Sequence, residues 1–229
     1  MVFDTRVFLK KVHFAFMTYF YLFLSFVVAY LLGAIPSAVW YGQAYFGIDV
    51  RQHGSGNAGA TNTFRVLGKK AGIIVLFIDI LKGWTATMLA NILFYLGAIE
   101  DSQLLTFKLL LGIVAVLGHL FSIFVKFRGG KGVATSLGMV LAMNPEVALV
   151  CIGIFVVILL VSEYVSLSSL VAAFAFPITM ILGVFGPPNP ILIAFGFLIF
   201  GIVVVAHRAN IKRLFNGTES KINIWKRAK

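Results

Sequence analysis

Cysteine is nearly absent: the 229 residues hold one, Cys151. A lone thiol excludes an intrachain disulfide and any cysteine-built metal cluster. Acidic residues are scarce, 8 against 19 Lys and Arg. No carboxylate cluster argues for a metal. His13, His53, His119 and His207 are scattered without close zinc-ligand spacing, so neither a metal nor a cofactor is expected. Charged residues of both signs make up only 12% of the chain. What is there instead is apolar: 60% hydrophobic residues and a mean hydropathy of +1.00. That is the composition of a multispan membrane protein, and it excludes a soluble domain. The net charge of +11 then reads as Lys and Arg retained in cytoplasmic loops near anionic headgroups. The expected partners are therefore membrane lipids, not nucleic acid.

Common catalytic signatures are missing too. There is no G-x-S-x-G elbow and no H-E-x-x-H helix. Gly68-Lys69 and Gly130-Lys131 lack the upstream glycine of a Walker A loop. Any chemistry must rest on positioning and electrostatics.

The apolar runs set the architecture. Val12–Ile35 and Ala71–Gly97 each suffice to cross a hydrocarbon core of ~30 Å. Leu104–Val125 follows, then Val133–Met143, Val147–Val161, Leu167–Val184 and Ile191–Ala206. Val133–Met143 is short, but parity decides its reading. If the basic clusters share one membrane face, the chain crosses an even number of times between Lys131 and His207. All four intervening apolar segments must then cross. The expected fold is an all-α integral membrane protein of about seven transmembrane helices, some short or broken, with cytoplasmic glycine-rich loops. Residues 1–229 form one membrane domain, with a basic extension over 1–11 and a basic cytoplasmic tail over 207–229. Lys and Arg crowd 49–70, 126–131 and the tail, while the outer loops 98–103, 144–146 and 186–190 have none. That is the positive-inside pattern. Arg6, Lys10 and Lys11 run against it; a start at Met17 would remove them.

Two glycine-rich clusters and the tail carry the polar chemistry. Gly54-Ser55-Gly56-Asn57-Ala58-Gly59-Ala60-Thr61-Asn62-Thr63-Phe64-Arg65 lies between apolar segments. Its glycines free the backbone for positive φ and close approach, and successive N–H groups can form an anion nest. Ser55, Thr61 and the asparagines add donors, and Arg65 a planar fork for phosphate. The second cluster is Arg128-Gly129-Gly130-Lys131-Gly132. Asp79 and Lys82 sit on one face of the second span. Each is costly in a bilayer, so they pair or face the interior.

In order, these residues resemble the bacterial acyl-phosphate:glycerol-3-phosphate acyltransferases, the PlsY family. The first cluster is similar to that family's first signature. Asp79-Ile80-Leu81-Lys82-Gly83 looks like its D-x-x-K-G. Gly118-His119-Leu120-Phe121 with Phe127-Arg128-Gly129-Gly130-Lys131-Gly132-Val133-Ala134-Thr135 resembles the second signature. His207-Arg208-Ala209-Asn210-Ile211-Lys212-Arg213-Leu214 with Gly217, Glu219 and Lys221 resembles the third. The likeness runs from about Tyr30 to Lys221. It departs at Ser122 (usually proline), Arg128 (usually lysine), Ala34 (usually serine) and Glu163 (usually basic). The H-x4-D pattern of the common glycerolipid acyltransferases is absent.

The resemblance implies acyl transfer from a fatty acyl phosphate to sn-glycerol 3-phosphate, giving 1-acylglycerol 3-phosphate (lysophosphatidic acid) and phosphate in phospholipid biosynthesis. It implies a multi-pass protein of the bacterial inner membrane, acting as a monomer with its site facing the cytoplasm. Ser55, Gly56, Asn57, Thr61, Asn62, Gly129, Gly130 and Lys131 would hold the acyl phosphate. Arg65, Lys131, Ser169, His207 and Asn210 would bind glycerol 3-phosphate. Ser55, Arg65, Lys131, His207 and Asn210 form the catalytic set. His207 orients the acceptor, acts as general base or caps the last helix; these alternatives stay open. His119 reads as structural. An acyl phosphate is already activated, so direct attack by the glycerol hydroxyl is expected, with no acyl-enzyme. The competing reading is a membrane transporter of an organic phosphate.

Overall fold

In a computed structural model of the protein, residues 5–222 are described. The start of the basic extension, residues 1–4, and the end of the tail, residues 223–229, lie outside the described residues. The ten α-helices among the described residues are α1 (Thr5–Ala34), α2 (Ser37–Phe46), α3 (Ala60–Leu67), α4 (Lys69–Tyr95) and α5 (Asp101–Leu120), followed by α6 (Val133–Met143), α7 (Pro145–Ser162), α8 (Val165–Ile181), α9 (Pro190–Ala206) and α10 (Arg208–Phe215). Four stretches are long and apolar enough to cross a membrane: Ala15–Ala34 of α1, α4, Asp101–Val125 and α7. The pair α9 and α10, bent by 67° at His207, makes a fifth; α6 and α8 are shorter apolar helices. These are the apolar segments marked off in the sequence.

The breaks follow local chemistry. Asn144 ends α6 and caps α7, accepting from the Val147 N–H, and Pro145 starts α7. Proline there loses no helical hydrogen bond. Asn189 and Pro190 open α9 in the same way. Glu100 and Gln103 form a reciprocal capping box at α5. Glu163 ends α7 in the left-handed conformation.

Two boundaries correct the sequence reading. α1 starts at Thr5 instead of Val12, so the backbone of the extension is helical from Thr5 onward. The first cluster is not one continuous loop: from Ala60 it is helix α3. Eight residues give an amphipathic helix too little length to stand out by periodicity.

Small residues bring the first helices together. A Cβ on Gly33 would fall 2.0 Å from the Ala115 carbonyl oxygen, and one on Gly83 would fall 2.1 Å from that of Thr135. One on Gly138 would fall 1.9 Å from that of Ile80. Backbone therefore meets backbone along α1–α5 and α4–α6. Lipid tails are as apolar as leucine, so close van der Waals approach is what drives such packing. The helices α7, α8 and α9 pack in sequence beside α6 around Met139, Val147, Phe176, Phe195 and Ile199. Large apolar side chains such as Phe16, Phe77, Tyr95 and Val161 face outward, as lipid contact requires.

Candidate active site

Beneath the site lies a buried ionic platform. Asp79 and Lys82 pair at 2.8 Å. Ser37 donates to Asp79 at 2.6 Å, and Lys82 donates to the Ile35 carbonyl at 2.9 Å. Ser122 donates to the Ala34 carbonyl. These contacts fix the break between α1 and α2, where Pro36 leaves carbonyls without helical partners. Buried ion pairs add little net stability, and removing one partner is costly. The expected pairing of these two residues is thus present, and its position gives it a structural task.

The first cluster is held by one side chain. Asn62 is buried. Its oxygen accepts from the Ser55 N–H at 2.8 Å and the Ser55 hydroxyl at 3.1 Å. Its amide nitrogen donates to the carbonyls of Val50 at 2.7 Å and His53 at 3.1 Å. An asparagine amide offers two hydrogens and one oxygen, so Asn62 has no free donor. That corrects its expected place as a phosphate ligand: it shapes the loop. Gly54 and Gly56 do take positive φ, 61° and 71°. A Cβ on Gly54 would fall 2.4 Å from the Asn62 oxygen and 3.4 Å from the Arg65 stem. Arg65 therefore lies over the loop. Ser55, Gly56, Thr61 and Arg65 are exposed and Asn57 is half-buried. No side chain caps α3 at Gly59, so its first N–H groups remain open to an anion.

The second cluster lies flat on the end of α5. The Gly129 N–H donates to the Leu120 carbonyl at 3.0 Å and that of Gly130 to the His119 carbonyl at 3.1 Å. Both amides are committed, so these glycines are not the expected backbone donors. Their value is absence of bulk: a Cβ on Gly129 would fall 1.8 Å from the His119 carbonyl oxygen, and one on Gly130 2.2 Å from His119 Nε2. His119 is the floor of this turn, which agrees with its structural reading. Gly132 then starts α6 at φ 80° with no side-chain cap. Its first amides are left without a side-chain partner. Ala58 of the first cluster and Gly129 and Gly130 of the second line one small crevice with Ile35, His119 and Ser122.

The third cluster closes on the second. Lys131 donates to the Asn210 amide oxygen. Asn210 donates in turn to Glu219 at 2.6 Å. Arg213 donates to the other Glu219 oxygen at 2.7 Å, and Ser166 to the first at 2.8 Å. Four helices, α6 to α9, separate Lys131 from Asn210 and return the chain to the end where it began. Burial pushes the Lys131 ammonium down to about 8. Glu219 opposes the shift, and the charges of Arg213 and Arg65 add to it. Glu219 feels burial upward, but the hydrogen bonds from Asn210, Arg213 and Ser166 leave it below the ordinary carboxylate range.

His207 is buried at the bend between α9 and α10. Its Nδ1 lies 2.9 Å from the Val203 carbonyl. A carbonyl only accepts, so Nδ1 carries the hydrogen and Nε2 keeps a lone pair. Burial and the Lys131 charge push the imidazole down to about 4. Ser169 is buried one turn after Ser166 on the same face of α8, and donates to the Val165 carbonyl at 2.8 Å.

Sequence reasoning passed over Glu219, Arg213 and Ser166 as site residues. Glu219 had a signal: it is the only acid in a tail otherwise rich in Lys and Arg. Also unlocated in the sequence was an apolar groove of about 570 Å³ beside this network, lined by Tyr164, Leu167, Leu170, Phe200, Val204 and residues of α10.

Residues 23–217 match the family model described as glycerol-3-phosphate acyltransferase. A glycerol-3-phosphate acyltransferase of Enterococcus faecalis is 46% identical over 209 residues, covering 89% of this chain and 93% of that protein. Glycerol-3-phosphate acyltransferase 2 of Bacillus cereus is 49% identical over 207 residues, covering 90% and 98%. The crystal structure of PlsY (YgiH), an integral membrane glycerol 3-phosphate acyltransferase in its glycerol 3-phosphate form, superposes with a TM-score of 0.74 at 36% identity, covering 88% and 95%. A lysophosphatidic acid form of that protein matches equally well. This chain belongs to the glycerol-3-phosphate acyltransferase family.

Proposed function

We propose that the protein transfers a fatty acyl group from an acyl phosphate to sn-glycerol 3-phosphate. The products are 1-acylglycerol 3-phosphate and inorganic phosphate. One observation carries the reading: Lys131, leading into the uncapped α6, meets Asn210 beside His207. Two uncapped helix starts, α3 and α6, suit a reaction in which both substrates carry phosphate. Ser55, Gly56, Asn57 and Thr61 hold the donor phosphate, together with the amides at the start of α6. Arg65 and Lys131 bind the acceptor phosphate, and Ser169, His207 and Asn210 orient its glycerol. The groove along α8 and α9 takes the acyl chain.

The acceptor's primary hydroxyl oxygen attacks the carbonyl carbon of the donor. A C–O bond forms, and charge on the carbonyl oxygen meets the preorganised donors. The bond from that carbon to the phosphate oxygen then breaks, and phosphate leaves with the electron pair. The hydroxyl proton goes to a phosphate oxygen, not to His207. A phosphate monoester titrates near 6, and burial keeps the imidazole neutral in the free enzyme. His207 Nε2 accepts the hydroxyl's hydrogen bond and aims it. No acyl-enzyme is needed.

The catalytic unit is a monomer and one membrane domain. The basic clusters meet at one end of the bundle. The positive-inside pattern puts that end in the cytoplasm, with seven crossings by α1 and α4 to α9. The membrane is the bacterial inner membrane.

The test is acyl transfer by the purified protein in detergent, with palmitoyl phosphate or palmitoyl-CoA as donor and K131A as control. Lysophosphatidic acid from the phosphate donor alone, lost in K131A, is the expected result. Product from palmitoyl-CoA alone would reject the donor. No product from either, with folded protein, would favour a phosphate transporter, to be checked by uptake into sealed vesicles.

A further inference from the structure

The segment after α10 doubles back over the corner between α7 and α8. The Ile222 N–H donates to the Glu163 carbonyl at 2.9 Å. Lys221 Nζ lies 3.3 Å from the Glu163 carboxylate and 5.3 Å from the centre of the Tyr164 ring. Three contacts of different kinds thus converge on two adjacent residues. Glu163 is able to receive them because it sits in the left-handed conformation, φ 63°. That conformation turns its carbonyl and carboxylate out of α7. Tyr164 is the next residue, and it lines the apolar groove where Leu214 and Phe215 of α10 also reach it.

We infer that Glu163 and Lys221 form a clasp that holds Tyr164 across the cytoplasmic mouth of the groove and so sets the affinity for the acyl donor. This rests on reading the groove as the acyl site. The same segment carries Glu219, which is fixed to Ser166 and Asn210. The clasp is therefore continuous with the polar site but touches none of the groups assigned to phosphate. Its effect falls on the acyl chain and leaves the acceptor alone. A half-exposed ion pair is weak by itself, and a cation over an aromatic ring adds a comparable amount. The clasp is thus a tuning device and not a structural pillar.

The experiment is a kinetic charge swap in the full chain, with palmitoyl phosphate and an eight-carbon acyl phosphate as donors. E163Q and K221Q should each raise KM for palmitoyl phosphate about threefold to fivefold, the size expected for one such pair. KM for glycerol 3-phosphate and kcat should not change. The double variant E163K/K221E should recover the ion-pair part of the loss and bring KM below that of either single variant. If K221Q raises KM while E163Q does not, Lys221 binds substrate directly and the clasp is rejected. Failure of the swap to rescue also rejects it. L170W, which obstructs the groove, separates the two ideas. It should abolish the preference between the long and short donors. If it does so while both clasp variants behave as wild type, the groove stands and the clasp falls. If L170W leaves the preference intact, the groove is not the acyl site and both fall.

Discussion

Lys131 and Asn210 lie 79 positions apart, and the ammonium of one donates to the amide oxygen of the other. The lysine is half-buried there, and burial holds it at about 8. It is therefore charged at neutral pH, but with little reserve. In the free enzyme kcat/KM for glycerol 3-phosphate should fall as pH rises through about 8. In K131R that limb should move to higher pH, because a guanidinium stays charged. A pH profile of both proteins checks this. In kcat the limb should also lie higher, since bound phosphate favours the charged lysine.

Glu219 should link stability to acid. Its folded pKa lies below the ordinary value because the hydrogen bonds to it outweigh burial. A depressed carboxylate contributes stability above its unfolded pKa and loses it as pH falls through the folded one. The melting temperature of wild type should therefore exceed that of E219Q at pH 7. The gap should close as pH drops below about 4. Thermal melts in detergent at several pH values read this directly. Asn210 and Arg213 lose the charged acceptor that orients them in the same variant, so kcat/KM should drop about tenfold.

Asn62 should behave as a structural residue inside a binding loop. N62A removes four hydrogen bonds and leaves the Val50 and His53 carbonyls with only the N–H groups of His53 and Gly56 as partners. The cost should be about 1–3 kcal/mol, visible as a lower melting temperature together with a weaker KM for the acyl phosphate. S55A, which removes only the Ser55 hydroxyl's bond among these four, should reduce activity with a smaller thermal effect.

For His207 the test is the acid limb. The imidazole is neutral down to about 4, so wild-type kcat/KM should show no limb near 6.5 that belongs to it. H207Q should lower kcat about tenfold to a hundredfold by losing the aimed hydrogen bond. It should leave the remaining pH profile unchanged. Loss of an acid limb in H207Q would restore the general-base role.

Much of the fold could be read from the sequence because its signals are long. Each apolar run exceeds a turn-scale fluctuation, and Asn-Pro pairs mark two of the breaks. The shared end of the basic clusters was the premise from which parity made Val133–Met143 a crossing, and the Lys131–Asn210 contact agrees with that premise. The site was less legible. Glycine at 129 and 130 predicted close backbone approach, but not that both amides would be used within the turn. Asparagine at 62 has the composition of a ligand and the position of a staple. Only the fold shows that Val50 and His53 present carbonyls to it. Helix α3 and the groove depend on residues from separate segments, and no local pattern contains them.

The glycine seams of the first helices have a mechanical consequence. Where Gly33 lies against Ala115 and Gly83 and Gly138 against the backbone of their neighbours, a helix cannot slide without collision. Interdigitated side chains can change rotamer; carbonyl oxygens cannot. The half of the molecule built on α1, α4, α5 and α6 is therefore stiff along its length. The helices α8 and α9 meet through side chains instead, as at Gly196 against Pro177 and Phe176, and keep more freedom to shift. Stiffness and freedom are thus divided between two halves of a single bundle, and the proposed site straddles them: the glycine clusters lie on the stiff half, and Ser169, His207 and Asn210 on the other.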